Sequence, residues 1–272
     1  MKTAFISGLF ATATITTGLF AEIKTASATN FVWDSSWTQP TILSKQKTGF
    51  DDTPFQKFVQ KEGLEIANSG QFLLDPSKLF MKYAHDVNVF FINEGAGFRN
   101  QLAFTANGGT KKTGLVFNDI ACAGAGCVGA WGGDTLKLGD GVNLGKMNAK
   151  TQLDFKLRAN GFNGGKNIFG TQTKYNEDGL QHVVAYAYNN FIVLGFEDLF
   201  GAKGATGGRN QNSDRDFNDV VVVLDIGKKN VQALTKTTPE PSVTMSLGAV
   251  AAIGMYGLRR RRKVEAVNVS ES

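Results

Sequence analysis

Apolar positions along the chain fall into short runs separated by Gly and Asn, and the clearest run has a period of two. Thr151–Arg158 sets Leu153, Phe155 and Leu157 against Gln152, Asp154, Lys156 and Arg158, which predicts a half-buried strand. Val87–Ile92 and Leu115–Phe117 predict further strands, with a turn at Asn107-Gly108-Gly109 between them. Leu136–Leu144 reads as strand, turn, strand, and His182–Tyr188 is apolar enough for both faces to be covered. Phe191–Phe196 and Val220–Leu224 are continuous apolar runs, expected to pair as an antiparallel hairpin. Upstream, Pro54–Asn68 predicts one short helix, and Pro76–Tyr83 predicts a further helical turn with Leu79, Phe80 and Tyr83 as its apolar positions. The fold class is therefore all-β, a β-sandwich of jelly-roll type with one or two short N-terminal helices.

The two ends do not belong to this pattern. Lys2 is followed by an uncharged stretch from Ala4 to Ala21 and then by Ala26-Ser27-Ala28, which predicts a secretory signal peptide over 1–28 cleaved after Ala28. At the other end Ser242–Leu258 carries no charge and runs into Arg259-Arg260-Arg261-Arg262-Lys263. That is a short membrane span with a basic stop, whose basic end is expected on the cytoplasmic side. An ordinary C-terminal anchor would share those features. The motif Pro239-Glu240-Pro241 together with the short span and the arginine cluster resembles the PEP-CTERM sorting signal of Gram-negative bacteria. The resemblance implies an exosortase-type processing enzyme as partner, a transient stay in the inner membrane through 242–258, and release to the cell surface or extracellular matrix. The chain then divides into the signal peptide, an N-terminal segment 29–86 packed on the sandwich, the β-sandwich domain 87–230, a linker 231–238, the sorting signal 239–263 and a tail 264–272.

Removing both ends changes the electrostatics. The whole chain has a formal charge of +5, but seven of its 29 basic and three of its 24 acidic residues lie in 1–28 and 242–272. The remainder is near neutral, so the basic balance points to no nucleic-acid partner. Cys122 and Cys127 are the only cysteines and sit in a Gly/Ala loop with no further His or Cys. In an oxidising compartment they predict a local disulfide. Trp33, Trp37, Trp131 and Tyr186 are open to two readings, core packing or a platform for a sugar ring. His85 and His182 lack any nucleophile motif, and His182, within a predicted strand, is expected as a core or edge residue.

The chemistry-bearing stretch lies at the base of the predicted hairpin. Asp214, Asp216, Asn218 and Asp219 lead into one strand, and Glu197-Asp198 closes the other, so pairing brings the two acidic groups together. Six oxygen-bearing side chains without nitrogen or sulfur ligands suit a hard cation, Ca2+ above all. The D-x-D-x-N spacing imitates the start of an EF-hand loop, but Asp219 stands where that loop needs glycine and a strand follows in place of a helix. An acidic turn that is merely solvated is the alternative.

Residues 87–226 resemble an uncharacterised exported bacterial domain. The resemblance rests on Glu94-Gly95-Ala96-Gly97-Phe98-Arg99-Asn100, Gly139–Gly145, Gly179-Leu180-Gln181-His182, Gly195-Phe196-Glu197-Asp198 and Asp214–Val221. It implies an extracellular, Ca2+-dependent β module without established catalysis. The expected function is thus an exported structural or adhesive protein of the envelope or matrix, with extracellular polysaccharide as a possible partner. A lectin-like module is one alternative. A glycan-cleaving enzyme using Glu94, Glu197 or Asp198 is the other.

Overall fold

A computed structural model describes residues 31–59, 73–128 and 133–236. The chain divides at Ser35 into two units, the first described only over 31–35, where Phe31 meets Trp33 edge to face with ring centroids 6.1 Å apart. The signal peptide, its cleavage after Ala28, Trp131 and the sorting motif Pro239-Glu240-Pro241 lie outside the described residues, as does the run 242–258. Among the described residues no helix is long and apolar enough to cross a membrane.

In the second unit thirteen strands are described: β1 Leu73–Leu74, β2 Phe80–Met81, β3 His85–Asn93, β4 Asn100–Gly108, β5 Lys112–Ile120, β6 Gly141–Met147, β7 Thr151–Arg158, β8 Ile168–Gly170, β9 Val183–Tyr188, β10 Phe191–Phe196, β11 Thr206–Gly207, β12 Asn210–Gln211 and β13 Val220–Asp225. Sheet A has the order β1-β9-β10-β13-β3-β6 and sheet B the order β2-β7-β4-β5, with β8 also on β7. The named strand pairs are antiparallel. The fold is an all-β sandwich, as the alternating runs predict. The expected hairpin forms, with Phe196 opposite Val220 and Ile192 opposite Leu224. Asn189 and Asn190 turn the chain from β9 to β10, both at positive φ (48° and 67°), as a two-residue turn that follows strand twist requires.

Apolar side chains from both sheets meet in one core that includes Phe91, Phe104, Phe117, Phe155 and Phe196. Sheet A is also covered on its outer face. Phe50, Phe55 and Phe58 pack there against Phe90, Val184, Tyr186, Val193, Val221 and Val223, with Phe50 stacked on Phe90 at 3.9 Å. Each such ring buried from water contributes roughly 2–3 kcal/mol. Double coverage is why β10 and β13 read as unbroken apolar runs and not as alternating ones.

The described stretch Ser36–Leu43 reaches both sheets. Gln39 donates from its amide to the Val116 carbonyl (2.9 Å) and accepts from the Asn118 N–H (2.6 Å), so one side chain occupies part of the outer edge of β5. Leu43 bridges Gly141 on the outer edge of β6. Ser36–Leu43 is thus a strap across the edge strands of the two sheets.

Several elements differ from expectation. The helix predicted over Pro54–Asn68 is a 3-10 turn at Thr53–Phe58, and 60–72 lie outside the described residues. A helix, α1, occupies Lys45–Thr48 instead. Pro76–Tyr83 is not one helical turn: Pro76–Lys78 forms a 3-10 turn, with Asp75 accepting from the Ser77 N–H, and the chain then straightens into β2. Of Leu136–Leu144 only the part from Gly141 is strand. The middle of the polar face of β7 is buried, where Asp154 pairs with Lys156 at 2.8 Å and takes the Thr171 hydroxyl as well, while Gln152 and Arg158 stay partly exposed. The segment expected as a linker from 231 is helical as far as Thr235, within α2 (Lys228–Thr235). Its Asn230 is buried and bonds to both the N–H and the carbonyl of Tyr83, at 2.8 and 2.9 Å.

Candidate metal centre

Three chain segments converge at the end of sheet A where β10 finishes and β13 begins. Because Phe196 faces Val220, the next residues, Glu197 and Asp198, lie beside Asp214–Asp219. The third segment is the crossing from β3 in sheet A to β4 in sheet B. There Gly95 N–H donates to the carbonyls of Asn218 (3.2 Å) and Asp219 (3.3 Å). Glycine is needed at two of these approaches. A Cβ on Gly95 would stand 2.4 Å from Asn218 Oδ1, and one on Gly195 would stand 2.4 Å from the Phe217 carbonyl.

The loop itself alternates. Arg215 and Phe217 take left-handed backbone (φ 57° and 62°), and both stay partly exposed, while Asp216 and Asn218 are buried. Alternate residues are thus turned inward, as the D-x-D-x-N spacing predicts, at a backbone cost of roughly 1–2 kcal/mol for each left-handed non-glycine residue. Asn218 N–H donates to Asp216 Oδ1 at 3.0 Å, which fixes that carboxylate.

All six predicted ligands arrive at this one place; Asn218 is buried beside Asp216, and the five carboxylates divide into two kinds. Glu197, Asp214 and Asp216 each offer a carboxylate oxygen, and these oxygens lie within 4.8 Å of one another. Oxygens bound to one Ca2+ at about 2.4 Å can be at most about 4.8 Å apart, so the spacing suits a common ion. Glu197 is fully enclosed; its Oε1 accepts from Leu199 N–H at 3.3 Å and its Oε2 has no hydrogen-bond partner. Asp198 and Asp219 are tied more firmly to the protein. Asp198 Oδ2 accepts from the Asn100 amide at 2.7 Å, and Asp219 Oδ2 accepts from the Asp198 N–H at 2.6 Å.

Burial sets the electrostatics. It pushes the Glu197 carboxyl up to about 7, with Asp214's charge adding and the nearby Ser213 hydroxyl and Arg215 offsetting. Ser213 eases that charge without meeting hydrogen-bond geometry. Asp198 is likewise raised to about 7, by burial first, with the Asn100 hydrogen bond opposing and Glu197, Asp214 and Asp216 adding. Asp219 is raised by burial and then by Asp198 and Glu197. A cation placed among these groups would reverse every one of these shifts.

Three supports were not legible as parts of the site. Asn100 reaches Asp198 from sheet B, 98 positions away in sequence. His182, expected as a core or edge residue within a strand, stands one residue ahead of β9 and is fully buried, stacked on Phe169 at 3.6 Å, with Nδ1 2.9 Å from the Glu197 carbonyl and Nε2 2.8 Å from Asp178 Oδ2. Both acceptors are served at once when the ring carries two protons, a charge that burial opposes and Asp178 favours. Asp178 also accepts from Gly201 N–H at 3.0 Å, so this pair anchors the start of the long connection after Asp198. Glu94, singled out from the sequence for possible catalysis, is buried, and its Oε2 accepts from Cys122 N–H at 3.0 Å.

Cys122 and Cys127 form the predicted disulfide, with Cα atoms 5.8 Å apart. Glu94, Glu197 and Asp198 are closed off from solvent, so a glycan chain has no access to them in this conformation. Of the aromatic residues considered for sugar binding, Tyr186 is buried on sheet A, while Trp37 is half-buried and lines a cleft of about 340 Å³ with Lys112 and Asn143.

A family model described as Domain of unknown function (DUF4114) matches residues 147–227, from the last residue of β6 to just past β13. That stretch holds Glu197, Asp198 and Asp214–Asp219, but not Glu94, Gly95 or Asn100. No curated protein and no solved structure matches the chain.

Proposed function

We propose that this chain is an exported, Ca2+-binding structural or adhesive protein of a bacterial envelope or extracellular matrix, delivered through its leader and its C-terminal sorting signal. The observation that carries the metal reading is Glu197, whose fully enclosed Oε2 has no hydrogen-bond partner while the carboxylates of Asp214 and Asp216 stand within 4.8 Å. Three carboxylates so placed repel one another, and a bound divalent ion turns that repulsion into attraction. The donor set is oxygen only, which favours a hard ion, and Ca2+ tolerates such loop-built, irregular coordination better than Mg2+ does. Glu197, Asp214 and Asp216 would hold the ion, with Asp198 and Asp219 bracing the loop behind them. Its task is mechanical: it joins the end of β10 to the start of β13 where both lie against the β3–β4 crossing.

Thermal unfolding of the full chain in Ca2+ and in chelator tests this reading. A ligand at a hundred times its Kd adds about 2.7 kcal/mol, or roughly 5–10 °C for a domain of this size. The shift is expected with Ca2+, to be much smaller with Mg2+, and to vanish in Asp216→Ala. Equal midpoints with and without Ca2+ overturn the reading.

A further inference from the structure

We propose that the cleft between the strap Ser36–Leu43 and the edges of the two sheets binds one unit of an acidic glycan, a hexuronate, with the sugar ring on Trp37 and its carboxylate on Lys112. None of the cleft's residues belongs to the cation site, so the inference stands without that reading.

The cleft has a volume of about 340 Å³, at the lower end of the range for small-ligand sites. Its base is apolar and buried, built from Phe104, Leu115 and Leu144, and Trp37 stands beside it with part of its surface exposed. Lys112 and Asn143, both exposed, supply the polar lining. A sugar ring matches this division, since C–H bonds cover its faces while its hydroxyls point outward and need hydrogen bonds. The wall that carries Trp37 is already set in place. Gln39 holds the strap to β5, and Leu43 exchanges two backbone hydrogen bonds of 2.8 Å with Gly141 on β6. Little ordering is therefore left to oppose binding.

Gly114 is a second observation for an occupant. It lines the cleft within β5, opposite Phe104 on β4. Its backbone does not need glycine, because its φ is not positive. Packing does not need it either: an added Cβ would meet the Phe104 ring at 3.6 Å, an ordinary contact. Glycine inside a strand weakens it, and one with neither reason marks a place kept clear for a close approach.

Lys112 decides the charge of the ligand. Its ammonium crosses from β5 in sheet B to donate to the Leu144 carbonyl of β6 in sheet A at 2.7 Å. An ammonium has three donors, so two remain. Among the described residues it pairs with no carboxylate. Lys112 is also the one charged residue lining the cleft. The Asn143 amide beside it is fixed in orientation, donating to Asn88 Oδ1 at 2.8 Å and accepting from Gly145 N–H at 2.7 Å. One N–H of that amide remains for a sugar hydroxyl.

The test titrates the full chain calorimetrically with tetragalacturonate and with the neutral cellotetraose. The wild type is expected to bind the acidic ligand about tenfold or more tightly than the neutral one, with the preference shrinking as salt is added. Trp37→Ala is expected to weaken binding about tenfold or more. Lys112→Met should bring the two ligands level, and Lys112→Arg should keep the preference. Gly114→Val should abolish binding and melt no lower than the wild type, which a loss of fold could not imitate. Equal binding of both ligands by the wild type overturns the acidic assignment, and binding of neither overturns the site. Tetragalacturonate bound at full strength by Trp37→Ala and Gly114→Val overturns the cleft. The wild-type comparison decides even where a variant fails to fold.

Discussion

Glu197 carries a carboxylate where water does not follow, and its protonation links the site to pH. Its pKa is about 7 in the folded chain, against an ordinary value of 4.5. Between those values the unfolded chain is ionised while the folded one keeps its proton. Without metal, the contribution of this group is therefore fully present below about pH 4.5 and is lost as the pH rises through 7. His182 works in the opposite sense, since burial holds its pKa below 6.5 and folding loses stability as the pH falls past that value. Comparing the wild type with Glu197→Gln isolates the carboxylate. In chelator the two are expected to melt alike near pH 4.5, and the variant to become more stable by on the order of 2 kcal/mol by pH 8. In Ca2+ at pH 8 the order should reverse. A difference that stays constant with pH would count against this account. At this scale the meeting of these carboxylates was legible because D-x-D-x-N and an acidic strand end are local patterns. Asn100 was not legible, because nothing near it in sequence says that its amide meets Asp198.

Among the elements, the strap Ser36–Leu43 shows how an exposed strand edge is managed by a single side chain. Unpaired N–H and C=O groups at an edge invite pairing with other chains. Gln39 answers one of each on β5. Gln39→Ala is expected to destabilise the chain by about 1–2 kcal/mol, read as a lower urea midpoint with an unchanged slope. A change below about 0.3 kcal/mol would mean that water replaces the glutamine without loss. Strands were legible in proportion to their apolar content. Helix α2 was not, because Lys228-Lys229-Asn230 opens it with polar residues, and Asn230 is buried by contacts with Tyr83, 147 positions away. β2 is only two residues long and exists because β7 offers it a partner at Thr151 and Gln152. Such short pieces carry no periodicity of their own.

For the whole molecule, the stretch 147–227 supplies the carboxylates of the proposed cation site but not the platform on which they sit. β13 pairs with β10 on one side and with β3 on the other, and β3 lies outside the matched stretch. The sandwich was legible from its alternating runs, whereas strand order across sheets was not, since β3 joins β13 through register set only in the folded chain. Convergence of three distant segments also has a kinetic side. The β3–β4 crossing, the end of β10 and the loop before β13 come together only once the strands that carry them have paired, which places their closure late in folding. An ion bound there would hold nothing in the transition state. Ca2+ is then expected to slow unfolding about tenfold for each 1.4 kcal/mol of binding and to leave the folding rate unchanged, as stopped-flow mixing can measure. Faster folding in Ca2+ would place the site in the nucleus instead. The two glycines that admit the loop against the sheet, Gly95 and Gly195, would thus govern how long the protein lasts once folded more than how quickly it forms.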